Sequence, residues 1–200
     1  MKVLDAPFGY LAYQRIIGGL QARERCMRDH VQLAKGMRVI DIGCGPGYVA
    51  ELLAGSDYIG LDTDKRYIDH ARKRYGEYGE FHCTPLTAAF LKERSTFDYA
   101  LMNGVLHHLS DAEVTDVLRL CQKALKTGGS VVTLDGYYAD NMNPVARFLM
   151  DHDRGKFIRT KSAYLALAKS VFSNVASYEH LDYFRVPYSV LVMECRRENS

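Results

Sequence analysis

The segment Val39-Ile40-Asp41-Ile42-Gly43-Cys44-Gly45-Pro46-Gly47 limits the possible folds more than any other stretch of this chain. A short apolar run reads as a strand buried on both faces. Three alternate glycines end it, and a helical pattern then runs from Tyr48 to Gly55. Glycines at such a turn let the main chain reverse tightly and let a ligand approach without Cβ interference. The same order then repeats. Residues 58–62 (YIGLD) form a second strand. Thr63 or Asp64 opens a helix with Ile68, Ala71 and Tyr75 on one face and Gly76 at its end. Residues 79–83 give a weaker third strand and 97–102 (FDYALM) a fourth. Ser110 with Glu113 is a capping box, followed by an apolar stripe at Val114, Val117, Leu118, Cys121 and Leu125. Gly128-Gly129 stops that helix before a fifth strand at 130–135 (SVVTLD). Strand–helix alternation of this kind requires a parallel sheet with helices on both faces.

The two ends break the alternation. Residues 9–35 form a mostly helical lead-in interrupted at Gly18-Gly19. Residues 136–160 mix tyrosine, asparagine, proline and charge, a loop with one short helix that could cover a crevice. After a helix at 163–172, strands at 175–184 and 189–196 meet near Pro187 with no room for a crossover helix, so they must be antiparallel. The expected architecture is a Rossmann-like α/β fold, a seven-stranded and mostly parallel sheet with its last two strands antiparallel. It forms a single domain over 1–200. Residues 1–37 are a lead-in or cap, 38–135 a cofactor-binding core, 136–160 a lid-like insert, and 161–200 the C-terminal helix and strand pair.

Composition removes several classes. Lys plus Arg number 26 against 24 Asp plus Glu, a net charge of +2, which argues against a broad basic face for nucleic acid. No run approaches the roughly 18 apolar residues that span a bilayer, and the MKVLDAPFGY start lacks a secretory apolar stretch. A cytoplasmic protein with no membrane partner is expected. The five cysteines are scattered without a CxxC pair, as expected for reduced thiols packed as small hydrophobes. There is no HExxH and no GxSxG. A catalytic metal would want carboxylates at the ends of strands four and five. Asp135 qualifies at strand five, but strand four offers Asn103, so no metal is expected.

The glycine turn itself discriminates between ligands. A dinucleotide fingerprint, GxGxxG, would place its third glycine at position 48, which is Tyr48. The spacing here is GxGxG, suited to a nucleoside with an amino-acid tail rather than to a pyrophosphate held on a helix N-terminus. Asp62, closing the second strand, can accept hydrogen bonds from both hydroxyls of a ribose.

With VIDIGCGPG, YIGLD, FDYALMNGVLHHL and ALKTGGSVV in this order, the chain resembles the class I S-adenosylmethionine-dependent methyltransferases from about residue 38 to 135. The lead-in YLAYQRIIGGLQAR and the later DRGKFIR look like those of small bacterial methyltransferases. The resemblance implies S-adenosyl-L-methionine as cofactor, S-adenosyl-L-homocysteine as product, and a small-molecule acceptor with an attacking O or N. It implies that Gly43, Cys44, Gly45 and Gly47 line the methionine moiety, with Asp41 orienting the turn or meeting the ligand's amino group. Asp62 would hold the ribose and Thr63 would flank the adenine. Asn103 and Gly104 would pass close to the sulfonium. The family commonly carries an Asp near the end of strand three. Here the stretch is Phe81-His82-Cys83-Thr84-Pro85, which leaves adenine to main-chain groups or to Thr84.

Candidates for handling the acceptor follow from position. His107, His108 and Asp153 are the candidate bases. Tyr10 and Tyr13 on the lead-in, Tyr137 and Tyr138 after strand five, and Arg154 and Arg159 in the insert are the candidate substrate contacts. Strand four lacks an Asn/Asp-Pro-Pro-aromatic tetrad and the chain lacks a Pro-Cys dipeptide, which disfavours a nucleic-acid base as acceptor. An RNA or protein acceptor, or a non-catalytic S-adenosylmethionine-binding regulatory subunit, stays as the alternative. The oligomeric state is left open, a homodimer included.

Overall fold

In the computed structural model the apolar run before the glycines forms the central strand β1 (Arg38–Ile42), four of whose five residues are buried. The structure describes residues 17–92, 94, 96–140, 142–151 and 155–198. Tyr10, Tyr13, Asp153 and Arg154 therefore lie outside the described residues. Helix α1 (Gly19–His30) precedes β1, and a single helical turn, α2 (Val49–Leu52), follows it. Then come β2 (Asp57–Asp62), α3 (Lys65–Tyr75), β3 (Gly79–Cys83), α4 (Ala88–Lys92) and β4 (Phe97–Asn103). A 3₁₀ turn at Leu106–His108 leads into α5 (Asp111–Ala124) and the long strand β5 (Leu125–Tyr138). The chain continues through α6 (Pro144–Asp151), β6 (Arg159–Thr160), α7 (Lys161–Lys169), β7 (Asn174–His180) and β8 (Val190–Arg196).

The sheet order is β3-β2-β1-β4-β5-β8-β7, with β6 paired to β5 off this path. Strands β1 to β5 are mutually parallel, while β8 runs antiparallel to both β5 and β7. Alternate strand residues serve opposite faces. Ile40, Val131 and Met193 pack with Val114, Leu118 and Tyr164 of α5 and α7. Val39, Val132 and Val192 pack with Ala22, Val49 and Ile68 of α1, α2 and α3. Leu118 is fully buried, so truncating it to alanine would cost about 2–5 kcal/mol.

Local signals explain the helix starts. Asp64 caps α3 through the Arg66 N–H (2.9 Å). Ser110 caps α5 through the Glu113 N–H, while Glu113 Oε2 accepts from the Ser110 N–H (2.8 Å). Four expectations change. The helix expected to reach Gly55 is the one turn of α2, because Leu53 already leaves helical geometry. Helix α5 ends at Ala124, so Leu125 begins β5 instead of closing the helical stripe. Gly128-Gly129 then lies inside that strand, tied to Arg197 (Gly128 N to Arg197 O 2.8 Å, Arg197 N to Gly129 O 2.9 Å). The two-residue β6 brings the sheet to eight strands, because Tyr137 and Tyr138 still have a free edge for Arg159 and Thr160. Among the described residues no helix is long and apolar enough to cross a membrane.

Candidate functional site

The chain runs outward from β1 through β2 to β3, then returns to place β4 on the other side of β1. Such a reversal leaves a crevice beyond the strands' carboxyl ends. It is lined by Asp41 and Asn103 from β1 and β4, by the 43–46 turn, by Arg23 from α1 and by Tyr48 at the N-cap of α2.

Main-chain bonds fix the turn. The Gly43 and Cys44 N–H groups both donate to Leu61 O (2.7 and 2.9 Å). Asp62 then ties the end of β2 to it, accepting from Gly45 N (2.9 Å) and from Asp64 N (2.8 Å). Burial still pushes the Asp62 carboxyl upward. Two of the glycines do different work. At Gly47 (φ +88°) a Cβ would lie 2.6 Å from Ala71 Cβ, so this glycine lets α3 pack against the turn. At Gly45 (φ +56°) a Cβ would meet nothing within 4 Å. Packing does not require that glycine; backbone geometry and open space beside the crevice do.

The floor of the crevice is polar, buried and incompletely paired. Asp41, 1% exposed, accepts from Tyr58 OH through Oδ2 (2.7 Å), while its Oδ1 has no partner among the described residues. Burial raises its carboxyl to about 7, opposed by the Tyr58 bond and the nearby Arg23 charge. Asn103 lies buried across the crevice, and neither its amide oxygen nor its amide nitrogen has a partner among the described residues. Leaving such groups unpaired costs roughly 1–3 kcal/mol each, so their convergence marks a ligand site. Arg23 stands at the rim, donating to Asn103 O (3.4 Å) and Gly19 O (3.3 Å) with its guanidinium 5.8 Å from the Tyr48 ring centre. Sequence reasoning missed Arg23, because only the docking of α1 brings it to the end of β4.

Beside this crevice lies a second polar pair. His107 Nδ1 is 2.7 Å from Asp135 Oδ1, and the same oxygen accepts from the His107 N–H (3.2 Å). Both side chains are buried. A carboxylate at Nδ1 favours the Nδ1–H tautomer. A Cβ on Gly104 would be 3.5 Å from His107 Cε1, and one on Gly155 would be 2.1 Å from Cδ2. The imidazole thus lies between Gly104 and Gly155. Asp135, weighed from sequence as a metal ligand, is engaged by His107. His108 is exposed, its ring centre 4.2 Å from that of His107.

The remaining candidates disperse. Thr63 is exposed and Thr84 half-buried beside the ends of β2 and β3, where Cys83 Sγ approaches Thr63 O (3.7 Å). Cys44 is buried in the turn, where burial raises its thiol well above the usual range. Tyr137 is buried and donates to Glu179 (2.5 Å), whereas Tyr138 donates to Asp151 (2.8 Å). Arg159, a candidate substrate contact, is engaged within the fold. It is 8% exposed, and its guanidinium serves Leu106 O, Phe157 O, Leu109 O and Asp111 Oδ1 at 2.6–3.0 Å.

Comparison with known proteins gives consistent relatives. A family model described as a methyltransferase domain matches residues 40–131. The ubiquinone biosynthesis O-methyltransferase of Roseobacter denitrificans is 37% identical over 100 residues, 48% of this chain and 39% of that protein. The matched stretch thus spans well under half of that relative. The enzyme of the same name from Pseudomonas entomophila is 28% identical over 190 residues, 86% of this chain and 76% of its own. Phosphoethanolamine N-methyltransferase 2 of Haemonchus contortus, solved with S-adenosyl-L-methionine, superposes with a TM-score of 0.75 at 15% identity, covering 98% of this chain and 58% of its own. At that identity the likeness is one of fold.

Proposed function

From the match of residues 40–131 to a methyltransferase domain and the site described above, we propose that the chain is a class I S-adenosylmethionine-dependent methyltransferase that methylates an acidic hydroxyl of a small molecule, with His107 as the base. The observation that carries the reading is the set of buried atoms unpaired among the described residues, Asp41 Oδ1 and the Asn103 amide, beside the glycine turn. They suit the ammonium group of an amino-acid tail, and Arg23 suits its carboxylate. Asp62 keeps lone pairs for ribose hydroxyls beyond its two main-chain bonds. Thr63 and Thr84 would border the adenine, and Gly104 would pass beside the reacting centre. When bound, S-adenosylmethionine supplies a methyl group already activated on a sulfonium.

The chain's own task is alignment, exclusion of water and removal of one proton. Alignment alone reaches effective molarities of about 10⁵–10⁸ M. Held by Asp135, His107 Nε2 can take the acceptor's proton as its oxygen attacks in line, and the resulting imidazolium is stabilised by the carboxylate. An imidazole deprotonates a phenol, with a pKa near that of tyrosine at about 10, far more readily than an alkanol. A phenolic or enolic acceptor follows, in keeping with the O-methyltransferase names of the relatives. The reading treats residues 1–200 as one domain acting in the cytoplasm.

The test is S-adenosylhomocysteine release from S-adenosylmethionine with matched panels of phenols, catechols, alkanols and amines. Turnover confined to phenols and catechols, and reduced about 10²–10⁴-fold in His107→Gln with cofactor affinity unchanged, is expected. Tight cofactor binding without turnover of any acceptor would favour a regulatory subunit instead.

A further inference from the structure

Tyr58 is a phenol where packing asks only for a ring. It lies on β2, 1% exposed, within the cluster formed by Val39, Val49, Ile68 and Phe81. Two neighbours fix the ring. Gly79 of β3 is its partner in register, and a Cβ there would lie 2.8 Å from Tyr58 Cδ1. The Phe81 ring is tilted against it, with 5.7 Å between ring centres. Phenylalanine would fill the same space and spare the fold a hydroxyl, whose burial is costly unless it is bonded. Here the hydroxyl donates to Asp41 Oδ2 (2.7 Å). The register explains the reach. Asp41 of β1 pairs with Gly60, two residues beyond Tyr58, so the two side chains are diagonal neighbours on one face of the sheet. Gly60, directly opposite Asp41, offers no side chain of its own to the carboxylate.

We propose that Tyr58 is a positioning residue for the cofactor: by holding Asp41 Oδ2 it fixes the carboxylate so that Oδ1 meets the ammonium of the amino-acid tail, and it favours the ionised form. The proposal rests on Asp41 being the partner of that ammonium. Asp41 lines the crevice, and its Oδ1 has no partner among the described residues. A carboxylate bonded at one oxygen cannot turn without losing that bond, so the other oxygen is presented in one direction. A hydroxyl that donates to it stabilises the charged form. Burial pushes the Asp41 carboxyl up to about 7; Tyr58 and Arg23 of α1 oppose this, and Asp62 at the end of β2 adds to it. Burial also holds the Cys44 thiol of the turn and the Tyr58 hydroxyl well above their usual ranges. Both stay protonated at neutral pH, and Tyr58 remains a donor.

The test is calorimetry of S-adenosylhomocysteine binding from pH 5 to pH 8. The comparison ligand is 5′-methylthioadenosine, which lacks the amino-acid tail. In the wild type, affinity for S-adenosylhomocysteine should rise with pH and level off above about 7, as the carboxylate forms. Affinity for 5′-methylthioadenosine should stay flat. Losing a bond to a charged group raises the Asp41 midpoint by about one to two pH units. Tyr58→Phe should therefore bind S-adenosylhomocysteine about tenfold more weakly at pH 7 and still be gaining affinity at pH 8, with 5′-methylthioadenosine binding unchanged. Carbon-13 NMR of the ligand-free protein should show the Asp41 carboxyl titrating higher by the same interval. A lower melting temperature with both ligands weakened alike and the midpoint unmoved would overturn the proposal. Asp41→Asn separates it from the reading beneath it. If that change abolishes the pH dependence while Tyr58→Phe leaves the midpoint in place, Asp41 remains the ammonium's partner and Tyr58 only packs. If Asp41→Asn binds S-adenosylhomocysteine as tightly as the wild type, Asp41 is not that partner and the proposal falls with it.

Discussion

Replacing Asp41 by asparagine should make the ligand-free protein more stable at pH 8 and leave it nearly unchanged at pH 4. The carboxyl rises from 3.8 to about 7 on folding because it is buried with one oxygen unpartnered. Between those two values the folded chain binds the proton that the unfolded chain has released. Stability therefore falls as pH rises through that window and levels off above about 7. A rise of about three pH units corresponds to roughly 4 kcal/mol. Asparagine keeps an oxygen for Tyr58 but never ionises, so a gain of about 2–4 kcal/mol at pH 8 is expected. Urea unfolding of both proteins from pH 4 to pH 8 measures it. Cofactor affinity should move the other way, falling in Asp41→Asn, and in the wild type it should rise with pH up to about 7 as the carboxylate forms. Parallel stability curves for the two proteins across the whole range would refute the reasoning, since Asp41 would then carry no unmet burial.

Asp62→Ala should weaken S-adenosylhomocysteine binding by about 2–4 kcal/mol by calorimetry, at roughly 1.5–3 kcal/mol per bond to a charged group with water replacing part. Gly47→Ala should lower stability by about 2–3 kcal/mol in urea, since its Cβ overlaps Ala71 and the backbone is left-handed. Gly45→Ala should cost only about 1–2 kcal/mol of stability yet lose most cofactor affinity, the new methyl standing in the space the ligand needs. A larger stability loss for Gly45 than for Gly47 would reverse these assignments.

The fold was legible where adjacent residues carry the signal. The glycine turn, the capping box at Ser110 and the strand-closing Asp62 are local patterns, and each sits where its chemistry demands. The acceptor side was less legible because its partners are distant in sequence. Nothing near Arg23 announces that it will meet Asn103, and nothing near His107 points to Asp135. Nothing in the sequence separates a guanidinium that binds main-chain carbonyls, as Arg159 does, from one that binds an acceptor. The tyrosines held an unused clue. Neighbours in a strand face opposite ways, so Tyr137 and Tyr138 could not both wall one pocket, and they part toward Glu179 and Asp151.

Strand β5 pairs with β4 at Leu125 and again from Ser130 onward, and the register shifts between them. The slack around Gly128-Gly129 has a consequence for insertions and deletions. An added residue there is absorbed by a stretch already out of step with its neighbour, and the pairing of Ser130–Asp135 survives. The same residue added between Val131 and Leu134 would shift everything after it by one place. Because side chains alternate, Asp135 would then face α1 rather than the His107 turn, and an otherwise well-formed sheet would present His107 with leucine. Length variation among relatives should therefore gather at the start of this strand and stop short of its second half, which an alignment of their strand-five lengths would check.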